Sequence, residues 1–261
     1  MIPQKIHYFW IGGNPKPVSV LYCIDSWKKY CPDYEIIEWN ETNYDFTKNL
    51  YMLQAYKAKK WGFVTDCARL DVIFQHGGIY FDTDVELIKN LDHLLCNGAF
   101  FGFDRAIDTN KNNVNTGEGF GAEAFHPILK ELMEKYNGLQ FVKQDGSFDL
   151  TPTPYYITAC LQKHGLQNQN SDQFLNNDVM IYASDVFCPK SFGETKLHLT
   201  ERTVSIHHFD ATWLDDDMKE KYHRTVKINR LLGDKVGFRV DKMINNVEYL
   251  RQAVRRKMMN R

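Results

Sequence analysis

Two aspartates one residue apart, Asp82 and Asp84, follow an apolar run in Gly77-Gly78-Ile79-Tyr80-Phe81-Asp82-Thr83-Asp84-Val85-Glu86-Leu87. Read as one extended strand, this stretch puts Tyr80, Asp82, Asp84 and Glu86 on one face and Ile79, Phe81, Thr83, Val85 and Leu87 on the other. The two carboxylates then stand roughly 7 Å apart along the strand. A buried carboxylate without a partner costs several kcal/mol, so the pair is either solvated at a strand end or neutralised by a cation. Mg2+ or Mn2+ suits such a site, because a hard divalent ion takes oxygen ligands from one or two carboxylates and from substrate phosphates.

Other groups with chemical potential lie along the chain. Asp66 and Arg69 are three apart on a helical stretch, the spacing of an ordinary surface ion pair. The adjacent His207 and His208 lie on a short strand, Val204 to Phe209, and must point to opposite faces, so at most one serves a given site. The run Asn115-Thr116-Gly117-Glu118-Gly119-Phe120-Gly121 lacks the lysine and hydroxyl of a phosphate-binding loop and reads as a pocket wall or a flexible lid.

These groups need a scaffold, and the chain is long enough to supply one. Its 261 residues, 43% hydrophobic and 25% charged, suit one large α/β domain with an appendage. The net charge of −1 offers nothing to a polyanion, so nucleic acid is not an expected partner. Six cysteines without a Cys-x-x-Cys pair support neither a zinc ribbon nor a redox motif, and reduced thiols in a cytoplasmic protein are the simplest account. No signal peptide and no bilayer-length apolar run is expected.

The pattern opens with a strand over 4–11, turn punctuation at Gly12-Gly13, a helix carrying Leu21, Ile24 and Trp27, and a second strand from Tyr34 to Trp39. One helical pattern runs from about Lys48 to His76 with an apolar stripe at Phe63, Cys67, Leu70 and Phe74, and Gly77 ends it. Helices follow at 127–136 and 153–164, separated by loop-rich sequence. Past Trp213 and the acidic Asp215-Asp216-Asp217 the tail is helical and ends basic, with Leu250, Val254 and Met258 interleaved; an anionic membrane surface and a frayed end are both compatible with it.

Taken in order, Ile6-His7-Tyr8-Phe9-Trp10-Ile11-Gly12-Gly13, Thr65-Asp66-x-x-Arg69, Gly77-Gly78-Ile79-Tyr80-Phe81-Asp82-Thr83-Asp84 and Ile206-His207-His208-Phe209-x-x-x-Trp213 resemble the family 32 glycosyltransferases. These are Asp-x-Asp sugar transferases that include bacterial capsular polysaccharide enzymes and fungal initiating mannosyltransferases; the catalytic domain of the large glucosylating cytotoxins is more distantly similar. The resemblance spans residues 6–213. It implies a GT-A fold with a single Rossmann-like nucleotide-binding sheet over residues 1–214, and leaves 215–261 as a helical extension for acceptor or membrane. It also implies Mn2+ or Mg2+, a nucleotide-sugar donor, and transfer with retention.

By position, the resemblance implies that Trp10 stacks on the nucleobase, Asp66 and Arg69 bind the donor sugar's hydroxyls, and Tyr80 and Asp82 contact the nucleoside. Asp84 would ligate the metal, Asp82 would lie near it, His208 would be the second protein ligand, and Trp213 would donate its indole N–H to the β-phosphate. Asp84, Asp82, Arg69 and Asp66 are thus the expected catalytic set. The activity expected is transfer of a hexose or N-acetylhexosamine from a UDP-sugar, or a GDP-sugar, to a lipid-linked oligosaccharide in capsule or O-antigen synthesis at the inner face of the membrane. A protein acceptor, or nucleotide-sugar binding without turnover, are the alternatives. A haloacid-dehalogenase-type phosphohydrolase fits less well, because Glu86 stands where that motif needs Thr or Val.

Overall fold

The computed structural model describes residues 1–106, 112–210 and 216–259. These form two compact units, Met1–Pro189 with Leu199–Trp213, and Lys190–His198 with Leu214–Arg261.

In the first unit, β1 (Lys5–Phe9), α1 (Val18–Tyr30) and β2 (Glu35–Trp39) form a parallel crossover. Next come α2 (Leu50–Lys57), α3 (Trp61–His76), β3 (Gly78–Tyr80) and β4 (Val85–Leu87). β5 (Ala99–Phe103), β6 (Val114–Asn115), β7 (Phe120–Ala122), α4 (Pro127–Asn137) and α5 (Thr153–Lys163) follow. The unit closes with β8 (Gln173–Leu175), β9 (Val179–Tyr182), α6 (Ser184–Phe187) and β10 (Ser205–His207).

The main sheet runs in the order β2, β1, β3, β7, β5, β9, β8, with β6 beside β5; β4 and β10 pair separately. β1 is parallel to both β2 and β3, and β5 to β9, whereas β7 and β8 pair antiparallel to their neighbours. Alternation along the strands sends Ile6, Tyr8, Ile79 and Phe81 into one apolar layer with Val20, Ile24 and Trp27 of α1. Phe9, Tyr80, Phe101 and Phe103 enter the opposite layer, against α3, α4 and α5. This is the expected α/β sheet with helices on both faces. Because β1 hydrogen-bonds β2 on one side and β3 on the other, strand order reverses at β1, and the carboxyl ends of β1 and β3 are where an open α/β sheet binds its ligands.

Several local expectations change. The helical pattern over 48–76 is two helices, broken at residues 58–60, where Lys59 adopts a positive φ of 55°. Leu21 of α1 is exposed. The single strand over 77–87 is β3 and β4, joined by a turn at Asp82-Thr83-Asp84 in which the Val85 amide donates to the Asp82 carbonyl at 3.1 Å. Asp82 and Asp84 are therefore turn residues, and the alternation argument ends at Phe81. The loop-rich region after 98 holds β5, β6 and β7: the aromatic and glycine residues of β5 and β7 pair as central strands buried on both faces, and the two-residue β6 pairs beside β5.

Gly77 and Gly78, with φ of 62° and 109°, link α3 to β3. A Cβ on Gly78 would lie 2.9 Å from both His7 Nε2 and the Lys5 carbonyl, so the helix reaches the sheet only through glycine here. His7 is itself structural: Nε2 lies 2.9 Å from the Gly77 carbonyl, and Nδ1 accepts from Trp39 Nε1 at 3.0 Å. Those partners require the neutral Nε2–H tautomer. Burial lowers its pKa to about 4. The unfolded chain then binds a proton between pH 6.5 and 4 that the folded chain refuses, so stability is full above 6.5 and falls as pH drops towards 4. The loss expected is about 3 kcal/mol. Urea unfolding from pH 7 to 4 checks this, with a shallower pH slope for His7→Gln.

In the second unit, α7 (Asp216–Leu232) and α8 (Asp234–Met259) form a helical hairpin turning at Gly233, whose φ is 76°. Arg224 of α7 bonds Asp241, Asn245 and Glu248 of α8. The Phe192 ring of the Lys190–His198 segment packs on Tyr222 of α7, and Asn229 donates to the Gly193 carbonyl.

Candidate active site

The crevice at the reversal point holds most of the residues with chemical potential. Asp82 leaves the carboxyl end of β3, and its amide donates to the Gly117 carbonyl at 2.9 Å. The Tyr80 hydroxyl donates to Asp82 Oδ1 at 3.0 Å, and Arg69 Nη1 lies 3.4 Å from the same oxygen. Arg69 also pairs with Asp66 one helical turn back and donates through Nε to the Thr65 carbonyl. This is more than the surface ion pair that the spacing alone suggests, since the Arg69 side chain is only 4% exposed and is shared by two carboxylates. Burial holds Asp66 and Asp82 above the usual carboxylate range, and the Arg69 charge opposes that shift in both.

Asp84 is held differently. Its Oδ1 lies 3.2 Å from His207 Nε2, and Oδ2 accepts from the Asp210 amide at 3.0 Å. Burial would raise its pKa, but the His207 charge and hydrogen bond and the Asp210 amide win, and the carboxyl sits below its usual range. His207 shows the converse: burial alone would lower it, and Asp84 holds it above its ordinary value.

One ligand atom from each of Asp82, Asp84 and His207 falls within a 4.8 Å span. The turn, not strand alternation, brings the two carboxylates that close. His207, rather than the expected His208, completes the group. β10 pairs antiparallel with β4 so that His207 faces Val85, and alternation then carries His208 to the other side, where Nε2 meets Glu86 Oε2 at 2.9 Å. Two carboxylates and an imidazole are a donor set that suits Mn2+ or Mg2+.

The remaining expectations divide. Trp10 follows β1 at the same sheet edge as Asp82, partly buried, with its indole N–H on the Asn14 carbonyl and Lys16 5.8 Å from the ring centre. Tyr80 is 1% exposed, packed against Phe9 and Phe120 with Arg69 over its ring, and it reaches the site only through Asp82. Its hydroxyl thus supports Asp82 from within the core. Trp213 lies outside the described residues.

Sequence reasoning missed the role of the glycine run. It is no lid: Thr116 to Ala122 are buried, and a Cβ on Gly117 would come within 2.3 Å of Asp82 Oδ2 and 3.2 Å of Arg69 Nη1. Backbone at that distance is what seats Asp82. Glu118 was also missed. It is fully buried beside Asp104, and burial together with that neighbour drives its carboxyl well above the usual range.

Residues 17–101 match the glycosyltransferase sugar-binding region containing the DXD motif. Asp82-Thr83-Asp84 is the DXD of that region. The chain is 24% identical over 171 residues to inositol phosphoceramide mannosyltransferase 1 of Schizosaccharomyces pombe, covering 60% of this chain and 50% of the relative. It is 28% identical over 157 residues to an uncharacterized glycosyltransferase of Acanthamoeba polyphaga mimivirus, covering 58% and 60%. The chain thus spans about half to three fifths of the length of these curated relatives. Among solved structures, a glycosyltransferase involved in glycosylation of the major capsid of PBCV-1 is 10% identical, with a TM-score of 0.45 over 85% of this chain and 99% of that one.

Proposed function

We propose that this protein is a metal-dependent, retaining glycosyltransferase that moves a hexose or N-acetylhexosamine from a nucleotide sugar, a UDP-sugar before a GDP-sugar, to a lipid-borne glycan acceptor. The observation that carries the reading is the convergence of Asp82, Asp84 and His207 within 4.8 Å past the end of β3, inside the matched sugar-binding region. Those three residues would hold the cation, which when bound supplies Lewis-acid stabilisation of the charge growing on the departing nucleoside diphosphate.

The protein's own groups supply position and field. Arg69, fixed between Asp66 and Asp82, aims a buried network of charge at the donor sugar, and hydroxyls bound there would be oriented without reorganisation at the moment of reaction. Tyr80 and Gly117 hold Asp82 from behind. Trp10, at the neighbouring strand end, offers a ring to the nucleobase. A nucleoside diphosphate is a good leaving group and needs no general acid.

A lipid-borne acceptor is supported by the mannosyltransferase relative, whose name places its acceptor among phosphoceramides. The second unit adds support. It exposes Leu231, Leu232, Val236, Met243, Val247 and Tyr249 beside exposed Lys227, Arg230, Lys235, Arg239 and Lys242, a composition suited to an anionic membrane surface. No helix among the described residues is long and apolar enough to cross a membrane.

A panel of UDP- and GDP-sugars with Mn2+, read by release of nucleoside diphosphate, tests the reading. One donor should turn over. His207→Ala should cut that turnover by about 100-fold or more, while His208→Ala, whose partner is Glu86, should leave most of it. Turnover with none of the donors would favour a binding protein, and equal losses in the two variants would return His208 to the site.

A further inference from the structure

Away from the crevice, three side chains with metal-binding chemistry meet between α4 and α5. Cys160 and His164 stand four residues apart at the end of α5, on the same side of the helix, and Glu131 faces them from α4. His164 Nε2 lies 2.7 Å from Glu131 Oε2, and one ligand atom from each of the three falls within a 4.8 Å span. Glu131 and Cys160 line a cleft of about 270 Å3 whose wall also includes Glu134, Tyr156 and Lys163.

We propose that Glu131, Cys160 and His164 form a second cation site, selective for a borderline ion of the Zn2+ class. Around a tetrahedral Zn2+ with bonds of ~2.0–2.3 Å, ligand atoms lie roughly 3.3–3.8 Å apart. The His164–Glu131 separation of 2.7 Å is shorter than that range and every other separation is within 4.8 Å, so closing the site would take a small side-chain rotation. Thiolate and imidazole favour Zn2+ over Mn2+ or Mg2+, whereas the oxygen-rich Asp82–Asp84–His207 group prefers the harder ions. The two sites therefore sort different metals.

Cys160 is 5% exposed, and without an ion it is a neutral thiol, since burial and the facing Glu131 push its pKa to about 12. Binding forms an Sγ–metal bond and releases the thiol proton to solvent, which makes affinity rise with pH. Glu131 also pairs with Lys163 Nζ at 3.3 Å, but that lysine is 71% exposed on a flexible stem and can withdraw. Three protein ligands leave a fourth position to water. The ion would tie α4 to α5.

Co2+ titration of the full chain tests the site, because thiolate-to-cobalt charge transfer absorbs in the near ultraviolet and carboxylate ligation does not. The expected result is a charge-transfer band saturating at one equivalent, displaced by Zn2+, absent in Cys160→Ser and at least about 10-fold weaker in affinity in His164→Ala. Zn2+ at a hundredfold excess over its Kd should also raise Tm by roughly 5–10 °C in the parent protein and not in Cys160→Ser. No band, or a band unchanged in Cys160→Ser, would overturn the proposal. A Zn2+ shift that survives Cys160→Ser but disappears in Asp84→Asn would also overturn it, by assigning the ion to the crevice.

Discussion

Asp84→Asn is expected to lower Mn2+-dependent release of nucleoside diphosphate by at least about 10^3-fold, the scale of losing a preorganised electrostatic partner of the transition state. The amide keeps an oxygen to accept from the Asp210 amide and keeps the volume of the carboxyl, so the turn should hold its shape. What it loses is the charge. His207 loses the carboxylate 3.2 Å away that does most to raise its pKa, while Asp82 and Asp104 still favour its charged form. Urea unfolding should therefore move by no more than about 1–2 kcal/mol, while Mn2+ at any concentration fails to restore rate. Parent-like turnover in Asp84→Asn would remove Asp84 from the metal site and with it the reading of the DXD turn.

The second large effect is on stability. Arg69→Met should cost about 3–5 kcal/mol, because removing one partner of a buried ionic group strands the others. Here two are stranded, Asp66 and Asp82, and the methionine fills only part of the guanidinium's place above the Tyr80 ring. The sign of the pH dependence identifies the cause. Without Arg69 both carboxyls have folded-state pKa values further above their unfolded ones, so the folded variant binds protons the unfolded chain does not. Its stability deficit must shrink as pH falls from 7 towards 4. Denaturant unfolding of parent and variant across that range measures the deficit, and the double variant Asp66→Asn/Arg69→Met should recover part of it at pH 7. A deficit independent of pH would mean that Arg69 matters through packing rather than charge.

Much of this was legible in the chain. The β1–α1–β2 opening, the α3 stripe and the glycine pair at 77–78 are local signals, carried by period and by backbone freedom, and they survive in the structure with shifted ends. The strands after residue 98 were not legible, because Gly102, Gly117, Gly119 and Gly121 look like loop punctuation. They are in fact close approaches, with Phe187, Asp82, Phe81 and Phe100 occupying the space a side chain would need. A glycine chosen for what sits against it cannot be told in one dimension from a glycine chosen for its turn.

The site divides along the same line. Residue identities alone, two carboxylates one apart and an Asp-x-x-Arg helix ahead of them, marked the acidic oxygens and the guanidinium that the site brings together. The register of β10 on β4 is what places His207, and not His208, beside Asp84. Tertiary structure likewise sets the separation of the carboxylates, which depends on a turn where alternation predicts a strand. Local sequence governs what a segment can do over a few residues. Register between strands more than a hundred residues apart depends on packing that no local window contains, and a shift of one residue exchanges His207 for His208.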